Sequence, residues 1–227
     1  LFFDMDKTIA PPRQPILADM FELLSSLKED VVIVSGQEVD KIRWQSNNLV
    51  VTALGQNGNH AVNADGTELW NEKLSHEHRT EILDHISEVI EILEHDLNHD
   101  WNPIEDRGAQ ITFSPIGNTA PVDIKMAYDP DRTKRFTMLD KIPFASEDLI
   151  VKIGGSTSLD YIHKDKHKGN NVARYIELMD WDKEECIYFG DGLYPGGNDE
   201  AVIGVIDTVL VVDHHDCFNK LKELLSV

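Results

Sequence analysis

An apolar triplet, Leu1-Phe2-Phe3, runs without a break into Asp4-Met5-Asp6-Lys7-Thr8. Far down the chain, Ile187 to Phe189 runs in the same way into Gly190-Asp191, with Asn198-Asp199 shortly after. Aspartate is a poor strand former, so each apolar run must stop where its carboxylate begins. Both acidic sets then lie where a buried strand opens into a loop. Aspartates two apart on an extended chain point the same way and repel unless a cation or hydrogen bonds compensate them. If the two loops meet, Asp4, Asp6, Asp191 and Asp199 form an oxygen-rich site suited to Mg²⁺, which takes a few carboxylates plus water and substrate phosphate.

The intervening pattern says which fold brings such loops together. A helical stripe from Ile16 to Leu27 follows the first strand. A buried strand at Val31 to Val34, a helix over Val39 to Asn47 and a strand at Leu49 to Leu54 come next. Strand–helix–strand at this pitch predicts right-handed crossovers and a parallel sheet. After Gly58 the style changes. A hairpin around Asn63-Ala64-Asp65-Gly66 precedes an amphipathic helix carrying Ile82, Leu83, Ile86, Val89, Ile90 and Leu93. Strand-like pieces at Gln110 to Ser114, Leu149 to Ile153 and Leu159 to Ile162 follow, with a basic helix near Arg132 to Lys141 between them. From Gly169 the α/β alternation returns, with strands at Ile187 to Phe189 and Val209 to Val212 and a closing helix. The expected architecture is α/β: a Rossmann-like parallel-sheet core in two parts, 1–58 and 163–227, with an inserted α+β domain at 59–162. Open parallel sheets bind ligands beyond the carboxyl ends of their strands.

Other residues at those ends suit a phosphate. Ser35 closes the Val31–Val34 run and precedes Gly36; a hydroxyl with backbone N–H groups there fits a phosphate oxygen, or caps the next helix. Lys168 starts the helix that feeds the Asp191 strand, where it could neutralise both a phosphate and Asp4. Gly192, Gly196 and Gly197 let the loop carrying Asn198 turn tightly. His163, His167, His214 and His215 show no helical His-x-x-x-His spacing and are expected to be solvated.

Composition excludes other classes. With 41% hydrophobic and 27% charged residues, the 227-residue chain can fill one large core or two modest ones. A net charge of -20 repels nucleic acid and anionic lipid, so neither is an expected partner. No apolar run approaches the roughly 20 residues that span a bilayer. Only Cys186 and Cys217 occur, so a reducing cytoplasm and buried thiols are expected. The chain starts without Met inside an apparent strand, which points to native residues upstream. A monomer or homodimer acting on a small phosphorylated substrate is the expected state.

These motifs, in this order, resemble those of the haloacid dehalogenase-like superfamily, in its capped sugar-phosphate phosphatase subgroup (IIB). Asp4-Met-Asp6-Lys-Thr8 resembles the first motif, Ser35 the second, Lys168 the third, and Gly190-Asp191 with Asn198-Asp199 the fourth. The segments Ala10-Pro-Pro-Arg13-Gln, Ser114-Pro-Ile-Gly117, Gly154-Gly155 with Ser158 and Asp160, and Pro195-Gly-Gly-Asn-Asp199 resemble eukaryotic-type phosphomannomutases. The resemblance implies Asp4 as nucleophile, Asp6 as general acid and base, and Mg²⁺ held by Asp4, Asp6 (through its backbone carbonyl), Asp191 and Asp199. It implies Ser35, Gly36, Asn198 and Lys168 at the phosphoryl group, and Arg107, Ser158 and Asp160 as substrate contacts in the inserted domain. Lys7 stands where the superfamily has glycine. Asn118 stands where the mutase phrase has arginine, a residue suited to a second phosphate, although Arg107, Arg132, Lys134 and Arg135 could supply an anion site. On Asn118 the expected activity is a Mg²⁺-dependent phosphatase working on a sugar phosphate through an aspartyl phosphate. The alternative is phosphomannomutase chemistry, and a binding module without catalysis ranks last, because no motif residue is damaged.

Overall fold

The computed structural model describes residues 1–93, 97 and 100–225. It divides into two compact units, Leu1–Asn71 with Lys166–Val227, and Glu72–Asp165. The chain opens with β1 (Phe2–Phe3), α1 (Ala18–Ser26), β2 (Val32–Val34), α2 (Val39–Gln45), β3 (Thr52–Gly55), β4 (His60–Val62) and β5 (Glu68–Asn71). The second unit carries α3 (His76–Glu91), β6 (Ile104–Asp106), β7 (Gln110–Phe113), α4 (Val122–Tyr128), α5 (Thr133–Lys141), β8 (Leu149–Gly154) and β9 (Ser158–His163). The first unit resumes with α6 (Lys168–Leu178), β10 (Ile187–Gly190), β11 (Asp207–Leu210) and α7 (His214–Leu224).

The sheet of the first unit runs β11-β10-β1-β2-β3-β4-β5, parallel from β11 to β3 and antiparallel through β4 and β5. Phe2 lies beside Tyr188 and Val32, and Phe3 beside Phe189 and Ile33. Side chains alternate across a strand, so the apolar runs divide between two cores. Phe3, Ile33, Ala53 and Phe189 pack with Met20 and Leu24 of α1, Ile42 of α2, and Cys217 and Leu221 of α7. Phe2, Val32, Val34, Leu54 and Tyr188 pack with Val172, Tyr175 and Ile176 of α6. Burial on both faces is why these strands read as continuous apolar runs. Both cysteines are buried thiols.

The inserted unit is built on an antiparallel sheet ordered β6-β7-β9-β8. One face of α3 buries Ile82, Ile86 and Val89 against Ile111, Phe113, Leu159 and Tyr161, worth about 1.5–3 kcal/mol per side chain. Ser75 caps that helix by accepting the His78 N–H.

Three features differ from the sequence expectation. The first unit runs to Asn71 and resumes at Lys166, because the hairpin β4–β5 pairs with β3 and extends the first sheet; the pattern change after Gly58 marks a switch of strand direction inside one sheet. The last strand covers Asp207–Leu210, since its register against β10 pairs Ile187 with Asp207 and Gly190 with Leu210. The apolar Val212 beyond it is exposed. Helix α4 and edge strand β6 were not expected: α4 exposes Val122, Ile124 and Met126 and shows no buried stripe. Among the described residues no helix is long and apolar enough to cross a membrane.

Candidate active site

Strands β2 and β10 flank β1 in parallel, so all three end at one edge of the sheet. Asp4 follows β1 there, its N–H donated to the Phe189 carbonyl at 2.9 Å. Its carboxylate is buried, and Oδ1 accepts from Lys168 Nζ at 2.6 Å. The same ammonium donates to Asp199 Oδ1 at 2.6 Å, and Tyr188 donates its hydroxyl to that oxygen at 2.8 Å. Asp199 Oδ2 accepts the Gly192 N–H at 3.1 Å. An added Cβ on Gly192 would run into the Asn198 side chain, so the loop closes this tightly only with glycine there. Asn198 itself donates weakly to Asp199 Oδ1, at 3.5 Å.

Lys168 is the first residue of α6, whose Val172, Tyr175 and Ile176 anchor it to the sheet. Burial of that face fixes the helix, and the helix holds the ammonium between two carboxylates. Asp191 completes the group. Its N–H donates to Thr8 Oγ1 at 3.1 Å, and its carboxylate lies 3.9 Å from Lys7 Nζ.

Two buried carboxylates therefore share one buried ammonium, with the Asp191 carboxylate close by. Burial pushes the Asp4 carboxyl up to about 7 against the pull of Lys168, and the charges of Asp199 and Asp191 add to the rise. Asp191 is raised by burial and by Asp199. Burial opposes the Lys168 charge, but Asp199 and Asp4 outweigh it and hold the ammonium above its ordinary value. Tyr188, buried and facing Asp199 and Asp4, stays a neutral donor. Asp4, Asp191 and Asp199 each offer an oxygen within 4.8 Å of the others. This hard-oxygen set with excess negative charge fits a divalent cation such as Mg²⁺.

Among the described residues, Asp6 shares no hydrogen bond with this group. Its carboxylate accepts from the Arg13 N–H and from the side-chain amides of Gln37 and Gln45, so as a metal ligand it could act only through its carbonyl. Ser35 lies buried at the end of β2. Its own N–H is spent on the Leu54 carbonyl at 3.0 Å, while Oγ accepts from Gln37 N at 3.2 Å; its hydroxyl hydrogen remains uncommitted in these contacts. Gly36 has no close neighbour that a Cβ would strike.

In the second unit, Thr112 and Asp160 are register partners, as are Gly154 and Ser158. Burial raises the Asp160 carboxyl, opposed by the charge of Arg107 and by hydrogen bonds from Thr112, Ser158 and Gln110. Its Oδ1 is buried without a hydrogen-bond partner. Arg107 donates to Glu105 Oε2 at 2.6 Å. Arg135, one of four residues that could have supplied an anion site, is instead fully buried and bound to Asp129.

A model of the family described as eukaryotic phosphomannomutase matches residues 20–227. The chain belongs to this family. It is 28% identical to a phosphomannomutase of Triticum aestivum over 98% of this chain and 93% of the relative. To a phosphomannomutase of Schizosaccharomyces pombe it is 26% identical, over 100% of this chain and 94% of that one. Among solved structures, a haloacid dehalogenase-like hydrolase from B. subtilis superposes with a TM-score of 0.69 at 12% identity, covering 98% of this chain and 99% of the other. The IMP-bound IMP-nucleotidase of Plasmodium falciparum gives 0.69 at 16% identity, over 100% of this chain and 68% of its own. At such identities the likeness is one of fold.

Two departures from the phosphomannomutase pattern now have a structural description. Lys7 adopts a left-handed backbone, φ 64°, a conformation in which glycine carries no Cβ penalty. Asn118 turns its amide to the carbonyls of Asn102, Pro103 and Thr112 at 3.1–3.3 Å, so it braces its own loop. Tyr188, Gln37 and Gln45 were not singled out in the sequence. The signal for Tyr188 was a phenol two residues before Gly190 on the same strand face; Gln37 and Gln45 carried none.

Proposed function

We propose that this chain moves a phosphoryl group within a hexose phosphate, interconverting mannose 1-phosphate and mannose 6-phosphate through an aspartyl phosphate on Asp4. The observation that carries the reading is the Lys168 ammonium held between Asp4 and Asp199, with Asp191 in reach. A buried carboxylate kept in place by a fixed cation is a poised nucleophile for an electrophilic phosphorus. Membership of the phosphomannomutase family, with relatives of that name over nearly the whole chain, favours transfer over the hydrolysis ranked first from sequence.

In this reading Asp4 Oδ attacks phosphorus in line, the ester P–O bond breaks, and Asp6 gives its proton to the departing sugar oxygen. Lys168 faces the transferring oxygens, orients Asp4 and favours its ionised form against burial. In the second step Asp6 removes the proton from the free hydroxyl of a hexose monophosphate, whose oxygen takes the phosphoryl group from Asp4; the bisphosphate so formed turns over and returns its other phosphoryl group to Asp4 by the first step. When bound at Asp4, Asp191 and Asp199, Mg²⁺ would neutralise charge on the phosphoryl oxygens. The reading places the protein in the cytoplasm, as a monomer or homodimer.

Asn118 favours a second reading, hydrolysis, in which water replaces the sugar hydroxyl. Its amide is committed to backbone carbonyls and brings no positive charge where the mutase phrase has arginine. Supplying mannose 1-phosphate with a hexose bisphosphate activator and Mg²⁺ separates the two. Mannose 6-phosphate is expected to form faster than free phosphate; free phosphate appearing first would replace the mutase reading with the phosphatase one.

A further inference from the structure

Asp6 is held by more donors than a turn aspartate needs. Oδ1 accepts from the Arg13 N–H at 2.7 Å and from Gln45 Nε2 at 2.8 Å. Oδ2 accepts from Gln37 Nε2 at 2.8 Å. The two amides lie 31 and 39 positions along the chain from Asp6, Gln37 in the β2–α2 loop and Gln45 at the end of α2. They are also joined to each other, Gln37 Nε2 donating to Gln45 Oε1 at 2.8 Å. The second hydrogen of Gln45 Nε2 goes to the Gln14 carbonyl at 3.2 Å. Gln45 is fully buried, and every polar hydrogen of its amide is committed. Asp6 itself fixes which way round that amide sits, because a flipped amide would set its oxygen against the carboxylate.

A carboxylate has about four lone-pair sites. Three are filled here: both on Oδ1 and one on Oδ2. One lone pair of Oδ2 is therefore left, and its direction is set by the two glutamines and a backbone N–H. We propose that Gln37 and Gln45 are positioning residues for Asp6, holding its carboxylate so that a single Oδ2 lone pair carries the proton in phosphoryl transfer. The inference rests on the reading of Asp4 as nucleophile and Asp6 as acid and base. Gln37 and Gln45 need touch no substrate. Their work is to remove the carboxylate's rotational freedom, so that the proton of Asp6 reaches the ester oxygen as the P–O bond breaks. Arg13 adds to the clamp: its left-handed φ of 57° aims its N–H at Oδ1, a strained conformation that its surroundings must hold.

The prediction separates esters by their leaving group. A sugar alkoxide needs the Asp6 proton in order to leave, whereas para-nitrophenolate is stable enough to leave without it. With Mg²⁺ present, kcat/KM is measured for a hexose phosphate and for para-nitrophenyl phosphate in the wild type and in Gln37→Leu, with Asp4→Asn as the blank. Gln37 is only partly buried, so this change opens little of the core. Gln37→Leu is expected to lower kcat/KM for the sugar ester by about 10- to 100-fold and for the aryl ester by less than about threefold. Gln45→Met, which keeps the buried volume, is expected to show the same selectivity and decides the matter alone should Gln37→Leu not fold. Equal losses on both esters would assign the glutamines a purely structural role, and no loss on either would give them none; each overturns the proposal. An Asp4→Asn protein as active as wild type would instead remove the phosphoryl-transfer reading, a failure distinct from either.

Discussion

Lys168 in the first unit and Arg135 in the second are both buried cations, 2% and 1% exposed at the side chain, and both meet carboxylates at 2.6–2.7 Å. Their surroundings differ in balance. Arg135 faces one carboxylate: its Nε donates to Asp129 Oδ2 at 2.7 Å, and its remaining donors go to the Gly154, Gly155 and Asp129 carbonyls. Asp129 also accepts the backbone N–H groups of Lys134 and Arg135. One charge meets one charge and the hydrogen bonds around the pair are made. Lys168, by contrast, is shared by Asp4 and Asp199, with Asp191 close by. The second arrangement is short of positive charge in the way a bound divalent cation would correct. Burial of an ion pair alone does not separate structure from chemistry; the surplus of one sign does.

The largest effects test that contrast directly. Removing one partner of a buried pair leaves an uncompensated charge and costs about 3–5 kcal/mol. Lys168→Met and Arg135→Met are therefore both expected to lower Tm strongly. Mg²⁺ is expected to restore part of the Tm lost by Lys168→Met, because it binds the carboxylates left unpaired, and none of that lost by Arg135→Met. Equal rescue, or none in either, measured by calorimetry with and without Mg²⁺, breaks the comparison.

A smaller effect follows from pH. Burial tends to raise the Asp129 carboxyl, but its bonds from Arg135 and from two backbone N–H groups win and hold it below the usual range. A depressed carboxylate contributes stability that is present above its unfolded value near 4 and is lost as pH falls through the folded value. Urea unfolding of the wild type between pH 5 and about 2 is expected to show that loss. In Arg135→Met the part due to Asp129 is expected to shrink, and an unchanged pH slope would remove Asp129 as its source.

The smallest effect is at Lys7. Glycine relieves the left-handed backbone but frees the unfolded chain, so Lys7→Gly is expected to change stability by less than about 1 kcal/mol in denaturant titration. A larger loss would mean that the exposed lysine contributes more than its 3.9 Å contact with Asp191 suggests.

The sequence carried the acidic sheet edge well because the signal there is local: an apolar run broken by aspartate marks the end of a buried strand, and two such marks, at Asp4 and Asp191, share one sheet edge. It carried the inserted unit less well. Arg135 reads as one of several surface cations along α5, and only the fold shows it buried against Asp129. The β4–β5 hairpin reads as a new domain because strand direction leaves no trace in hydrophobic pattern. Gln37 and Gln45 gave no signal, since an amide acquires meaning only when folding sets it against a carboxylate far along the chain.

Brief mixing with phosphorus-labelled hexose phosphate and Mg²⁺, acid quenching and mapping of the labelled peptide tests the poised nucleophile most directly. The label is expected on Asp4, released by hydroxylamine as an acyl phosphate is, and absent from Asp4→Asn. Label on another side chain, or turnover with Asp4→Asn at the wild-type rate, would contradict it.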